Sequence, residues 1–236
     1  LPDLSSVLRK VQASGEALQL TMVCVSYRGY WKSHDRPSEK GINQDTEAAL
    51  RWVTTLHAEK SGNSTRCEPV ILLWGQSIGC GLATKLAANT NTAVQALILE
   101  TPFTSARAML QALYPQKWLP YQYLWPFLRN HLDSWSNIGV LASKQPIGQL
   151  PHVYMIEAGR DELVPASHGE SLRKRCLEVG LPLKRYKIRG ALHNDASIRA
   201  EGKAAIAQSI ISAAVAASPS RKPCPVTEAW SQHAER

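Results

Sequence analysis

Between Val70 and Gly81 the chain reads Val-Ile-Leu-Leu-Trp-Gly-Gln-Ser-Ile-Gly-Cys-Gly. A short apolar, β-branched run stops at Gly75-Gln76-Ser77-Ile78-Gly79, and helix-forming residues follow at once. A strand must therefore turn into a helix within one or two residues, with Ser77 at the apex. Two glycines flank the turn, where a Cβ would collide, so the serine hydroxyl stands clear at the end of the sheet. The glycine-serine spacing alone is a weak signal, and an ordinary strand-helix turn could carry it. The strand before it and the helix after it make it specific.

The rest of the chain repeats the same alternation. Residues 3–19 read as a helix, with Asp3 able to cap it and Leu4, Val7, Leu8, Val11 and Leu18 near one face. Thr21 to Tyr27 reads as a strand whose apolar content predicts burial on both sides. Helices are expected over 43–60, from the elbow to about Asn89, over 167–179 and from Ala196 to about Ala217; further strands are expected over 94–99, 152–158 and 184–188. Strands alternating with helices specify an α/β fold, a mostly parallel sheet covered on both faces. Residues 101–150 interrupt the rhythm with eight of the sixteen aromatic residues and five prolines. Residues 1–217 thus read as one domain with a lid-like insertion at about 101–150, and 218–236 as a flexible tail.

Length and composition narrow the functional classes. A chain of 236 residues with 44% hydrophobic and 19% charged content has enough apolar material for one large core. Its net charge of +8 is spread over both halves, apart from a cluster at Arg173, Lys174, Arg175, Lys184, Arg185, Lys187 and Arg189, opposed only by Glu178. That cluster reads as a solvated helix face and a charge-blunted edge strand, with contact to anionic lipid headgroups as the alternative. No binding motif accompanies it, so nucleic acid is not an expected partner. The five cysteines are odd in number and without metal-type spacing; Cys24 and Cys80 read as small core residues. No run reaches the ~18–20 apolar residues that span a bilayer.

An exposed serine needs a base to become a nucleophile. The arrangement that goes with this turn supplies an acid and then a histidine at the ends of later strands. After strand 152–158 comes Gly159-Arg160-Asp161-Glu162-Leu163-Val164-Pro165; after strand 184–188 comes Arg189-Gly190-Ala191-Leu192-His193-Asn194-Asp195. Ser77, Asp161 and His193 are therefore the candidate nucleophile, orienting acid and general base. Glu162 could replace Asp161, His168 is the nearest rival histidine, and Asp195 reads as a cap for the last helix. The Ile78 N–H is the candidate oxyanion donor, with Gln76, Phe103, Trp118, Leu163 and Val164 on the substrate side. No metal or nucleotide cofactor is expected.

Taken together, these motifs resemble the α/β-hydrolase superfamily and, within it, the bud-emergence-type and acyl-thioesterase-like branch. The residues that carry the resemblance are Tyr27-Arg28-Gly29-Tyr30, Pro37 to Gly41 with Asp45, Trp74 to Gly79, Glu100 to Ser105, Trp135 to Ile138, Asp161 to Pro165 and His193 to Asp195. Trp31 departs from it, standing where this branch usually has glycine. The resemblance implies a three-layer α/β-hydrolase sandwich and a serine hydrolase acting on esters or thioesters, lipid or palmitoyl-protein substrates included. It also implies association with the endoplasmic reticulum or plasma membrane, although no anchor is legible here. Two rivals are a peptidase of prolyl-oligopeptidase type and a non-catalytic scaffold. Against the family pattern, the chain is expected to lack the first three strands and the loop giving the second oxyanion donor. Losing one such donor typically costs ~10²–10³ in turnover, so activity is expected to be impaired.

Overall fold

The protein, described here from a computed structural model, is defined over residues 2–14, 18–60, 69–114, 127–145 and 149–217. Four strands, β1 (Ile71–Gln76), β2 (Val94–Glu100), β3 (His152–Ala158) and β4 (Leu183–Ile188), form one sheet in chain order. Every pairing is parallel. Parallel neighbours need a crossover between them, and helices supply it. Those after the first strand are α3 (Ile78–Asn89), α4 (Ala106–Leu113), α5 (Ser134–Lys144), α6 (Ala166–Glu178) and α7 (Ala200–Ala216); α1 (Pro2–Gln12) and α2 (Glu39–Lys60) precede it.

The two central strands show why the sheet lies between helices. Leu97, Leu99, Val153 and Met155 point to one face, where they pack with Cys80, Leu86, Ile138, Leu141 and Leu172 from α3, α5 and α6. The alternate residues Ala96, Ile98, Tyr154 and Ile156 point to the other, against Val7 and Val11 of α1 and Ile206 and Ile210 of α7. Each large side chain so buried contributes about 1.5–3 kcal/mol. The α/β-hydrolase sandwich expected from the sequence is the fold observed, with the sheet's carboxyl ends all at one rim.

The first described strand-like segment departs from expectation. Residues 18–27 form no strand and join no ladder among the described residues. Val23 and Val25 are exposed, and so is Cys24, which the sequence had placed in the core. An apolar run is buried on both sides only where it has neighbours. Here a cavity of about 510 Å³, lined by Leu20, Met22, Leu73, Trp74 and Leu82 among others, lies beside this segment and β1. The ladder to β2 is β1's pairing among the described residues.

Boundaries shift for local reasons. Helix α1 ends at Gln12 rather than near 19, and α2 begins earlier than expected, at Glu39. Glu39 is held there by its contacts with 130–132: its N–H donates to Asn130, and its carboxylate accepts from the backbones of His131 and Leu132. Helix α7 begins at Ala200, because 193–198 form a run of turns. The basic cluster is less bare than the sequence implied. Arg173 pairs with Glu170 at 2.6 Å, and Arg185 with Glu157 and Glu170 at 2.8 and 3.0 Å. These pairings hold the Glu170 carboxyl at about 2. Arg175 lies 4.0 Å from the centre of the Trp135 ring.

This architecture predicts a graded hydrogen-exchange pattern. Amides of β2 and β3 should exchange at the slowest, near-global rate, and amides of 18–27 far faster. Equal protection of the two regions, measured by mass spectrometry, would contradict the unpaired reading of that segment.

Candidate active site

Ser77 follows the last residue of β1 with φ 51° and ψ −113°, a backbone conformation that residues with side chains rarely adopt. Its N–H donates to the Glu100 carbonyl at 2.9 Å, and its own carbonyl accepts from Cys80 N–H at 2.9 Å. The expectation about the two glycines holds at one of them. A Cβ on Gly75 would lie 2.2 Å from the Gly79 carbonyl oxygen, a collision with backbone. A Cβ on Gly79 would meet nothing nearer than the Tyr27 hydroxyl at 4.0 Å, because the cavity beside β1 leaves room.

The two candidate partners arrive from later strand ends. His193 Nε2 is 2.9 Å from Ser77 Oγ, and His193 Nδ1 is 3.0 and 3.1 Å from the two Asp161 oxygens. A carboxylate only accepts, so the ring proton sits on Nδ1 and Nε2 is free to accept the serine proton. His193 is 3% exposed. Asp161 is fixed in turn, since Oδ1 also accepts from the backbones of Leu163 and Val164 at 2.9 and 2.7 Å.

The rival residues have other tasks. Glu162 accepts the backbone N–H of His193 at 2.9 Å, so it holds the same loop that Asp161 orients by its ring. His168 is buried with its Nδ1 2.9 Å from Thr104 Oγ1, and burial pushes its pKa down. Asp195 takes Leu192 N–H and the Arg199 guanidinium, and thereby caps a turn rather than α7, whose N-cap is Arg199.

Around the pair, no side chain caps α3, and the positive end of that helix faces its first residues, Ile78 included. Of the substrate-side candidates, Gln76 and Leu163 are exposed, whereas Phe103 and Val164 are 5% and 7% exposed and act as packing. The Gln76 amide lies 3.4 Å from a Glu100 oxygen. Trp118 lies outside the described residues, as do the rest of 115–126, 146–148 and the expected tail 218–236. Among the described residues no group of His, Cys, Asp and Glu could hold a metal. The sequence reading missed Glu100, a 1% exposed carboxylate between Ser77 and the His193 loop. An acid closing an apolar strand was the available signal.

Residues 6–138 match the family described as alpha/beta hydrolase fold. The chain belongs to the alpha/beta hydrolase family. Relatives of this chain include an uncharacterized protein of Mycobacterium tuberculosis, 34% identical over 75% of this chain and 54% of its own. Protein bem46 of Schizosaccharomyces pombe is 37% identical over 42% of this chain and 31% of its own. Human alpha/beta hydrolase domain-containing protein 17B is 28% identical over 78% and 54%. The chain spans about half the length of most of these relatives. Among solved structures, an alpha-beta hydrolase of Vibrio vulnificus superposes with a TM-score of 0.65 at 22% identity, covering 90% of this chain and 69% of that one. The esterase Pf2001 of Pyrococcus furiosus gives 0.55 at 17%, over 79% and 66%.

The unequal glycines generate a prediction. Gly75→Ala should disrupt the turn and lower the melting temperature by several degrees. Gly79→Ala, within a helix and in open space, should be neutral or stabilising by roughly 0.5–1 kcal/mol. Thermal melts of the two variants check the contrast, and equal losses would contradict it.

Proposed function

We propose that this alpha/beta hydrolase is a serine hydrolase that cleaves a carboxylic ester or thioester through an acyl-serine intermediate. The observation that supports it most is the continuous relay from Ser77 Oγ through the His193 ring to Asp161, with each contact between 2.9 and 3.1 Å.

In this reading, His193 Nε2 takes the hydroxyl proton as Ser77 Oγ bonds to the acyl carbon. Asp161 stabilises the imidazolium so formed, and the Ile78 N–H, at the positive end of α3, faces the developing oxyanion. The tetrahedral adduct collapses when His193 returns its proton to the leaving alcohol or thiol. Water then repeats the sequence: His193 removes its proton, the oxygen bonds to the acyl carbon, and Ser77 leaves reprotonated. Every proton transferred in these steps passes through His193 Nε2.

An acylated lipid or palmitoyl-protein is the substrate class we favour. The rim of the site carries apolar side chains open to solvent, Ile78 at 42%, Leu163 at 45% and Leu192 at 45%. Such a rim suits an acyl chain or a membrane surface better than a polar peptide.

A fluorophosphonate probe should label the full chain at Ser77, and Ser77→Ala should abolish labelling. His193→Ala should slow it by at least about 100-fold. With acyl thioesters and short peptides offered side by side, acyl hydrolysis supports the proposal. Peptide hydrolysis alone would favour a peptidase, and an unlabelled wild type a scaffold.

A further inference from the structure

The serine and histidine of the relay are carried by strands at opposite edges of the sheet. With β2 and β3 between them, β1 and β4 lie three strand spacings apart, about 14 Å. The loop leaving β4 at Ile188 must therefore be drawn across two strand ends before His193 can reach Ser77. The structure ties that loop down at successive points. At the end of β3, Arg160 N–H donates to the Ala191 carbonyl at 2.8 Å, and Glu162 accepts His193 N–H at 2.9 Å. At the end of β2, Glu100 Oε1 accepts Ser197 N–H at 2.9 Å.

Glu100 differs from the other ties because it also holds the nucleophile. Its carbonyl accepts Ser77 N–H at 2.9 Å and the Cys80 thiol at 3.2 Å. Its carboxylate meets the Trp74 indole N–H at 3.3 Å and the Gln76 amide at 3.4 Å, both from β1, where Gln76 stands opposite it in register. The partners found at the carboxyl are all donors, which suits an ionised, accepting group. Burial raises its pKa, and hydrogen bonds from Ser197 and Trp74 and the nearby His193 offset only part of that rise. None of the acyl-transfer steps uses this buried acid.

We infer that Glu100 is the positioning residue for the Ser77–His193 pair, its carbonyl setting the serine turn and its carboxylate setting the histidine loop. The inference rests on the serine-hydrolase reading of that pair. One residue at the end of β2 fixes both reacting side chains to a common reference, so their 2.9 Å separation does not depend on the flexibility of the loop. Reach matters here more than charge. Aspartate keeps the charge but ends one methylene short of Ser197. Glutamine keeps the length and one accepting oxygen.

The test compares Glu100→Gln, Glu100→Asp and Glu100→Ala in the full chain, reading the rate of fluorophosphonate labelling at Ser77. The Gln variant should label within about threefold of wild type, and the Asp and Ala variants roughly 30- to 100-fold more slowly, as a misplacement of about 1 Å would cause. An Asp variant as fast as wild type, or slower labelling in Gln than in Asp, overturns the inference. If the Ala variant does not fold, the ordering of Gln and Asp decides. A core variant far from the rim, Ile206→Val, serves as the stability control. Should it slow labelling as much as Asp at a matched melting loss, the role is merely structural and the inference fails. A wild type that never labels overturns the hydrolase reading instead. The inference is then judged by the downfield proton resonance of His193 Nδ1, which should persist in the Gln variant and vanish in the Asp variant; its survival in both overturns it.

Discussion

Ser77 sits in a backbone conformation that costs on the order of 1–3 kcal/mol, and the rest of the site depends on that strain being held. Strand β1 fixes one side of the turn through its ladder with β2, and α3 fixes the other by packing its buried face under the sheet. Gly75 stands so near the Gly79 carbonyl that no side chain fits there. A turn so confined has one way to aim its hydroxyl. Flexible loops could present the same three side chains, but they would do so only part of the time.

Much of this is readable from residue order because the forces involved are local or periodic. The alternation along β2 and β3 sends Leu97 and Ile98 to opposite layers, and the same period fixes the sheet as buried on both faces. The turn at Ser77 is a short-range steric event, so five residues suffice to announce it. Asp161 and His193 follow from where strands end, since a parallel sheet collects all such ends at one rim.

What escaped the sequence depended on neighbours. Residues 21–27 have the composition of a buried strand, yet burial is a property of what lies alongside, and here a cavity does. Glu157 and Glu170 lie far along the chain from Arg185, so the basic cluster looked less compensated than it is. Glu162 and Asp161 were rivals on paper. In space they divide the work, one holding the imidazole and the other the backbone beneath it. His168 likewise took a partner, Thr104, that lies 64 residues away in the chain.

The sheet's two margins differ in how they meet other molecules. Along β4, Lys184, Arg185 and Lys187 deter a foreign strand from adding on, by like-charge repulsion between copies. Strand β1 carries no charged residue, and its Leu73 and Trp74 line the cavity shared with segment 18–27. Growth by edge pairing is thus opposed at the β4 margin. A border so guarded offers no backbone template on that side, and crowding brings copies together there without zipping their strands.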